Sequence, residues 1–241
     1  MGQKIHPKGF RLILPEKHLS NWYATKKFYS VLCQEDFIIR QIIQQFFSEF
    51  LLISSINIER VTSLLINNKD ITITITCLLP RLKDFYKNII TNQKVEKDVL
   101  LPFTTAHQEE FIILFLTNKL EILKRLLISK FNTNISIRFK FLKSVYEDSF
   151  LIAKHIGLLL EKRTPFRRII KQILKKAETL EYKGIKIQLA GRLNGIEIAR
   201  TEWKRYGKIP LHTLKENIDY SYYPVQTKDG IIGIKVWLLK K

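Results

Sequence analysis

The sequence predicts a mixed α/β (α+β) protein built in two halves, because helical and strand-like patterns alternate along the chain. Apolar residues recur every three or four positions from Glu35 to Leu52, which is typical of an amphipathic helix. Residues 71–77 alternate Ile with Thr and end in Cys77, which is typical of a strand with one buried face. Because 46% of the 241 residues are hydrophobic, the chain can form folded cores and is not a disordered basic tail.

The first half is predicted to run helix, two strands, insertion, helix, strand. In chain order these elements are a helix at 35–52, a strand around Ile56 and Ile58, a turn at 67–70, a strand at 71–77, a long loop or insertion at 80–106, a helix at 107–129 and a strand at 134–142. The apolar stripe of the later helix is Leu116, Leu120, Leu123 and Leu127. The two strands before the insertion form a β-hairpin in this interpretation.

The second half is predicted to place two helices before a group of strands. In chain order these elements are helices at 147–162 and 165–181 and strands at 184–190, 196–204, 217–225 and 231–239. Pro165 suits the first turn of the second helix, with Thr164 as its N-cap. Gly191, Asn194-Gly195 and Asp229-Gly230 mark tight turns between the strands. We therefore expect two helices packed on a mostly antiparallel sheet.

Positive charge is the property of the sequence that most restricts the possible functions. The chain holds 41 Lys and Arg against 22 Asp and Glu, which gives a net charge of +19 and an isoelectric point near 9.9. Residues 140–209 alone hold 17 Lys and Arg against 7 Asp and Glu. A folded domain this basic favours a polyanionic partner, and the usual one is the phosphate backbone of a nucleic acid. Binding to an anionic membrane surface is the competing interpretation of charge alone.

The densest basic cluster lies on the predicted helix at 165–181. Its cations follow helical spacing along one side, and its apolar residues take the other. The cations are Arg167, Arg168, Lys171, Lys175 and Lys176, and the apolar residues are Ile169, Ile170, Ile173, Leu174 and Ala177. Like charges this close destabilise an isolated helix, so a bound polyanion would relieve their repulsion. A merely solvated helix face is the alternative.

Further candidate RNA contacts lie in the N-terminal arm and in the strands. They are Lys4, His6, Lys8 and Arg11 in the arm, and Arg192, Arg200, Trp203, Lys204, Arg205 and Lys208 in the strands. Aromatic residues beside cations can stack on bases. An aromatic such as Tyr182, Trp203 or Tyr206 is nevertheless more often a core residue, and Trp237, in an apolar strand, is predicted to be core.

No catalytic, metal or cofactor site is predicted. None of the five histidines stands at metal-ligand spacing from a cysteine or another histidine, and no phosphate-binding loop or dinucleotide fingerprint is present. Glu197 and Glu202 could form a carboxylate pair, but charge balance in a basic hairpin explains them better. Cys33 and Cys77 are expected to be buried thiols in a reducing compartment. A nuclease or nucleic-acid lyase is therefore the weaker functional class.

Membrane insertion and export are not predicted either. The longest tight apolar run, 111–116, is too short to span a bilayer. The N-terminus lacks the apolar core of a secretory signal and the composition of a transit peptide, so we expect a soluble protein made in the compartment where it works. Many residues are Ile, Lys, Asn and Phe, which hints at an A·T-rich genome such as that of an organelle.

Motifs at both ends of the chain resemble the family of small-subunit ribosomal protein three, the S-three family. The strongest are GIKIQLAGRLNGIEIARTEW at 184–203, GKIPLHTL at 207–214, IDY at 218–220 and GIIGIKVW at 230–237. The start, MGQKIHPKG, is similar to the family's N-terminus, and INIER at 56–60 resembles its first KH strand. Strong matches cover the first dozen residues and nearly everything after Thr164, whereas the middle shares only topology and scattered residues.

The resemblance implies an arm and a type II KH-like domain over 1–142, with the insertion at about 80–106, and a C-terminal S-three domain over 143–241. It implies a place in the head of the small subunit, on small-subunit ribosomal RNA, near ribosomal proteins ten and fourteen. It also implies a position with proteins four and five on the path by which messenger RNA enters. In the family a basic cluster after a Phe faces the incoming messenger. The matching residues here are Phe166, Arg167, Arg168 and Lys171.

One departure from the family concerns the Gly-x-x-Gly loop with which KH domains clamp RNA. The glycines of that loop let the backbone approach phosphates. This chain has no glycine between Gly9 and Gly157, so the loop is absent in its usual form. We therefore expect the KH-like half to be a scaffold that has lost loop-based RNA clamping.

The segment YYPVQT at 222–227 resembles the cyanobacterial and plastid variant of the family. Together with the A·T-leaning composition, it favours a ribosomal protein of the plastid stroma, with a bacterial cytoplasm as the alternative. A free organellar RNA chaperone or splicing factor remains the alternative function. Such a protein would need the same basic surface but not the dense C-terminal motifs.

Overall fold

The computed structural model describes residues 3–12, 14, 16–48, 51–62, 69–78, 105–180 and 182–240. These residues pack into two compact units. Residues 18–143 form the first unit, and residues 1–17 together with 144–241 form the second. The structure thus places the N-terminal arm in the same unit as the C-terminal half, whereas the sequence-based division grouped it with the first half. Nearly all of the predicted insertion, and the first two residues of the turn predicted at 67–70, lie outside the described residues, whereas Lys69 and Asp70 begin a strand.

The helices and strands alternate as the sequence predicts. In chain order they are α1 (Pro7–Arg11), β1 (Ser20–Asn21), α2 (Lys26–Phe47), β2 (Leu52–Thr62), β3 (Lys69–Leu78), α3 (Thr105–Phe131), β4 (Asn134–Leu142), α4 (Ser149–Glu161), α5 (Phe166–Thr179), β5 (Gly184–Gly191), β6 (Arg200–Gly207), β7 (Ile218–Thr227) and β8 (Gly230–Leu239). Short 3₁₀ turns precede α4 and follow β5. In the part of the chain described above, no helix is both long and apolar enough to cross a bilayer.

The first unit is a four-stranded sheet, in the order β1-β2-β3-β4, whose core is shared with α2 and α3. β2 and β3 are antiparallel, and β3 and β4 are parallel. The predicted alternation in β3 is confirmed, because its Ile side chains and Cys77 are at most 1% exposed while the Thr residues between them reach the surface. The predicted leucine stripe of α3 is confirmed as well, since Leu116, Leu123 and Leu127 are buried and Leu120 is partly buried against the same core.

Helix α2 differs from its prediction at both ends. It begins at Lys26, nine residues before the predicted start, and it ends at Phe47. Its first turns leave Phe28, Tyr29 and Val31 more than half exposed, so no buried stripe marks them in the sequence. Cys33 lies on the same exposed stretch, and the prediction that its thiol is buried is therefore wrong.

The second unit is a four-stranded antiparallel sheet in the order β6-β5-β8-β7. Helices α4 and α5 pack on one of its faces and share one hydrophobic core with it, as predicted. Strand β6 begins at Arg200, four residues after its predicted start, because the chain first makes a turn in which Asn194 and Gly195 take φ angles of 59° and 76°. These left-handed angles suit Asn and Gly.

The start of α5 is formed differently from the prediction. Pro165 occupies the N-cap position, and Thr164 lies outside the helix. The hydroxyl of Thr164 donates a hydrogen bond to the carbonyl oxygen of Leu159 at 2.5 Å, so it fastens the end of α4 and not the start of α5. No side chain caps the helix, and its first turn carries no acidic residue.

Candidate RNA interface

Helix α5 separates its apolar and cationic residues cleanly. Its inner side, which packs on β5 and β6, holds Phe166, Ile169, Ile170, Ile173 and Ala177, all at most 3% exposed. Its outer side carries the five predicted cations, all of them exposed: Arg167, Arg168, Lys171, Lys175 and Lys176. Within the described residues none of the five makes a salt bridge. The core thus fixes the helix so that the five positive charges face solvent together.

One further cationic side chain, that of Arg200, lies beside Phe166 in the first turn of α5. The guanidinium carbon of Arg167 lies 5.8 Å from the centre of the Phe166 ring, and that of Arg200, on β6, lies 6.0 Å from it. Arg200 also lies 3.6 Å from the carboxylate of Glu202. The structure therefore brings a residue predicted to face messenger RNA next to one predicted to bind ribosomal RNA.

Strand β6 divides the other predicted contacts between the two faces of the sheet. Arg200 and Lys204 lie on the side of α5, because Lys204 pairs with the core residue Ile187 and Arg200 lies beside the ring of Phe166. Trp203 and Arg205 point to the opposite side, in register with Gln188 and Lys186. The basic stretch that looked continuous in the sequence is therefore split over two surfaces.

Two predicted contacts near these strands have different surroundings. Arg192 donates hydrogen bonds to the carbonyl oxygens of Ile196 at 3.1 Å and Asp229 at 3.2 Å, so it ties two loops together while its side chain stays exposed. Lys208 lies exposed just beyond β6.

The N-terminal arm uses much of its charge inside the second unit. Arg11 is 1% exposed, although it was predicted to contact RNA. Its guanidinium donates to five backbone carbonyl oxygens, of Pro7, Pro210, Leu211, Thr213 and Glu216, at 2.8–3.4 Å. A buried guanidinium whose donors are occupied in this way cannot reach a phosphate on the surface. Arg11 is a structural residue, and its prediction as an RNA contact is corrected accordingly.

The other arm residues are also partly engaged. The ammonium of Lys8 lies 2.7 Å from the carboxylate of Asp219. His6 caps α1, with its Nδ1 accepting a hydrogen bond from the backbone N–H of Gly9 at 3.2 Å. Burial and the nearby Lys8 lower the pKa of His6, which favours the neutral ring. The side chain of Lys4 is exposed. Of the four arm residues predicted to bind RNA, it is the one that makes no hydrogen bond or salt bridge with the described part of the chain.

A coupled pair of carboxylates lies where the arm meets the sheet. Burial and the carboxylate of Asp219 raise the pKa of Asp148 to about 6. Burial acts to raise the pKa of Asp219 too, but Lys8 and the backbone N–H of Ser149 outweigh it and lower that pKa to about 2. One proton is therefore shared unequally between the two groups. Nothing in the spacing of the sequence indicated this pair, because the two residues lie in distant parts of the chain.

The first unit contains a buried polar network built around Asp36. The guanidinium of Arg60 binds one oxygen of Asp36 at 2.6 Å and 3.0 Å, and the hydroxyl of Ser20 and the indole N–H of Trp22 each donate to the other oxygen at 2.8 Å. Asp36 is 2% exposed. One feature of the sequence could have indicated that Asp36 is buried: it lies at helical spacing from Ile39 and Ile43, on the buried side of α2. Both oxygens of Asp36 accept hydrogen bonds from side chains of the same unit, so the network stabilises the fold.

The described residues contain no cluster of three or more His, Cys, Asp or Glu side chains that could hold a metal ion. Cys77 is buried, and burial raises the pKa of its thiol to about 12, which keeps it protonated. The chemistry that the exposed residues offer is binding of anions and of flat rings.

Comparison with known proteins gives one consistent result. Residues 156–238 match the family described as ribosomal protein S3, C-terminal domain. Over all of this chain, similarity extends to the small ribosomal subunit protein uS3 of Picosynechococcus sp., at 39% identity and 86% of that protein, and of Synechocystis sp., at 40% and 86%. The small ribosomal subunit protein uS3c of Zygnema circumcarinatum is 36% identical over all of this chain and 95% of its own length. Identity of this level along the full length shows that the chain belongs to the uS3 family of small ribosomal subunit proteins.

Proposed function

We propose that this chain is a structural constituent of the small ribosomal subunit that binds ribosomal RNA through its second unit. Membership of the uS3 family, whose members are structural and not enzymes, supports the proposal. The physical support is the cationic side of α5, where a rigid apolar face holds five exposed positive charges in a row. A bound polyanion neutralises the repulsion among these charges and releases its own counterions, and both effects favour binding.

Messenger RNA is the partner proposed for the first turns of α5. Arg167, Arg168 and Lys171 lie beside a helix start that no side chain caps and that carries no acid. Both the helix dipole and the arginines favour an anion there. Phosphate contacts do not depend on sequence, which suits a surface past which any message must move.

Ribosomal RNA is the partner proposed for the remaining exposed contacts. These are Lys4, Lys175, Lys176, Arg192, Arg200, Trp203, Lys204, Arg205 and Lys208. His6, Lys8 and Arg11 act instead by holding the arm against the sheet. Because the contacts lie on both faces of the second unit, they are consistent with RNA reaching it from more than one side.

The wider setting follows from the family and is part of the proposal. We place the chain in the head of the small subunit near ribosomal proteins ten and fourteen, and near four and five where messenger RNA enters. Its similarity to cyanobacterial and uS3c proteins supports a ribosome of the plastid stroma. The first unit serves as a KH-like scaffold without a Gly-x-x-Gly clamp. The test of that last point is RNA crosslinking to residues 78–83, and a normal clamp contact there would contradict it.

The first experiment is sedimentation of the tagged chain from lysate with and without chelation of magnesium. A constituent of the small subunit sediments with whole ribosomes and moves to the small-subunit peak when magnesium is removed. A chain that stays in light fractions in both conditions would contradict the proposal and favour a free RNA chaperone or splicing factor.

The second experiment replaces Arg167, Arg168 and Lys171 together with Ala. Ribosomes carrying this variant should translate messages with stable hairpins several-fold more slowly than unstructured messages, because the cations that hold the phosphates of an opened strand are missing. Equal slowing of both kinds of message would contradict the role. The matched control removes three exposed cations from α3 in the first unit, Lys124, Arg125 and Lys130, and should leave the ratio of the two rates unchanged.

A further inference from the structure

The second sheet has an outer face, opposite α4 and α5, that carries both aromatic and basic residues. Strand register places them in two neighbouring rows across the four strands. The first row is Arg205, Lys186, Trp237 and Tyr220, and the second is Trp203, Gln188, Lys235 and Tyr222. We call these eight residues the outer sheet face. It contains four aromatic rings, three cations and one amide, and it contains no acidic side chain.

Two of the four rings are exposed to solvent. Trp203 is 54% exposed and Tyr222 is 52% exposed. Tyr222 lies across Gly233, where an added methyl group would come within 3.2 Å of the ring, so the glycine lets the ring lie close to the sheet. A large ring held flat at a surface loses little conformational entropy when another ring stacks on it. These two residues are therefore suited to cover planar groups.

The ammonium of Lys186 lies between two indole rings of this face. The ammonium of Lys186 lies 5.1 Å from the centre of the Trp203 ring and 5.0 Å from that of Trp237. Trp237, confirmed as a buried residue, packs against Tyr220 at 5.3 Å between ring centres. Burial, and after it the positive charges of Lys4 and Arg205, lower the pKa of Lys186. Positive charges are thus held together on this face, and a bound anion would relieve their repulsion.

The arm closes one side of the outer sheet face and makes a cavity of about 840 Å³. Its lining includes Lys4 and His6 from the arm and Lys186, Gln188 and Lys235 from the sheet. The ring of His6 meets the edge of Tyr220 at 4.9 Å between centres, which holds the arm in place. A cavity of this size accepts a nucleotide. Cations for a phosphate and an amide for a base edge therefore line one space. The two exposed rings lie next to it on the sheet, because Trp203 pairs with Gln188 and Tyr222 pairs with Lys235.

We propose that the outer sheet face binds an unpaired segment of RNA, with bases stacked on Trp203 and Tyr222 and phosphates at Lys4, Lys186 and Lys235. The inference rests on the proposed function in taking RNA as the partner, and it adds a second RNA surface that recognises single strands. Four-stranded sheets with exposed rings bind unpaired bases in other RNA-binding proteins. An acidic protein segment would satisfy the cations but would leave the two half-exposed rings without a planar partner.

The test measures binding of the full-length chain to an unstructured oligonucleotide and to a duplex RNA of equal charge. The double variant Trp203→Leu and Tyr222→Leu keeps apolar surface but removes both stacking rings. Its affinity for the single strand should fall by roughly tenfold for each ring removed, while its affinity for duplex changes less than about threefold. The matched control, Tyr23→Leu, removes a ring that is 80% exposed in the first unit and should change neither affinity.

Three outcomes would overturn the inference. Equal loss of affinity for single strand and duplex would show that the rings only shape a general basic surface, and no loss for either would exclude RNA from this face. Mononucleotide binding as tight as that of the oligonucleotide would identify a site for free nucleotides. If the variant does not fold, as judged by circular dichroism, Tyr222→Leu alone provides the same comparison. Because the wild-type chain is also sedimented with the small subunit, failure of the inference remains separable from failure of the proposed function.

Discussion

The two sheets of this molecule follow one plan and differ in the face opposite their helices. In the first unit that face carries short polar side chains, such as Thr72, Thr74 and Ser136, with Arg138 and Lys140 beside them. The hydroxyl of Ser136 donates to that of Thr72 at 3.1 Å. In the second unit the corresponding face carries half-exposed rings and clustered cations. Alternation with period two tells which residues share a face, and the side chains themselves decide whether that face is inert or able to bind.

This difference indicates that the two units have different roles. The polar network of the first unit is satisfied internally, around Asp36, whereas the second unit leaves rings and positive charges available at its surface. We therefore expect changes in the first unit to alter stability and changes on the second to alter RNA binding.

The largest expected effect is the loss of stability in Asp36→Ala. Removing the carboxylate breaks both hydrogen bonds between Asp36 and the buried Arg60, which keeps only Glu35 at 2.7 Å, and leaves Ser20 and Trp22 without their acceptor. Breaking a buried ion pair in this way typically costs about 3–5 kcal/mol. Urea unfolding followed by circular dichroism measures the change in the free energy of unfolding. Glu121→Ala, which removes an exposed pair with Arg125 at 3.7 Å, is the control and should change stability by less than about 0.5 kcal/mol. Similar effects of the two variants would contradict a structural role for Asp36.

Arg11→Lys tests a buried arginine of the second unit whose hydrogen bonds, like those around Asp36, are all made inside the protein. Lys keeps the charge but cannot reach five carbonyl oxygens, so we expect the free energy of unfolding to fall by about 2–3 kcal/mol. Thermal unfolding gives the change. Full stability combined with weakened RNA binding would show instead that Arg11 acts at the surface.

Removing cations from each of the two outer faces compares them directly. Lys186→Met with Lys235→Met should lower the slope of log affinity against log salt for single-stranded RNA by about 1.4, or about 0.7 for each phosphate that is no longer neutralised. Met preserves much of the apolar stem that packs between the indoles. Arg138→Met with Lys140→Met, on the first unit, should leave the slope unchanged. Equal decreases would mean that the two faces do not differ in binding.

The smallest expected effect is a dependence of stability on pH. The pKa of Asp148 is raised from 3.8 to about 6, so the folded state holds its proton more tightly, and this contribution to stability is lost as the pH rises from about 4 to 6. Asp219 has the opposite sign, with its pKa lowered to about 2, so its contribution is lost as the pH falls from about 4 to 2. Asp148→Asn keeps a capping oxygen for α4 and should remove about 1 kcal/mol of the loss between pH 4 and 6.5. An unchanged pH profile in denaturant unfolding would contradict this.

Regular patterns made part of this fold predictable from sequence. The Ile and Thr alternation of β3 and the cation spacing of α5 each reflect one buried and one exposed face, and both are confirmed. The start of α2 was not predictable because its first turns bury no stripe, and β1 is only two residues long. Local pattern is informative where a whole element has one buried side.

The candidate contacts divide in the same way. The exposure of the cations on α5 follows from helical spacing, whereas the burial of Arg11 depends on carbonyl groups some 200 residues further along the chain. Lys186, Lys235 and Tyr222 were not among the predicted contacts, because only the pairing of β5, β8 and β7 brings them to one face. Pairing between distant strands is not visible in a single sequence.

The anchorage of Arg11 also determines an order of events during synthesis. Its acceptors on the C-terminal half lie at residues 210–216, so at about 5–20 residues per second the arm is made roughly 10–40 seconds before they exist. The first unit is continuous in sequence and can close during that interval, whereas the second cannot. Its sheet also lacks β8, an interior strand, until nearly the whole chain has been made. A chain released early would therefore have neither a fastened arm nor a complete sheet, and only a finished product could present the second unit to its partners.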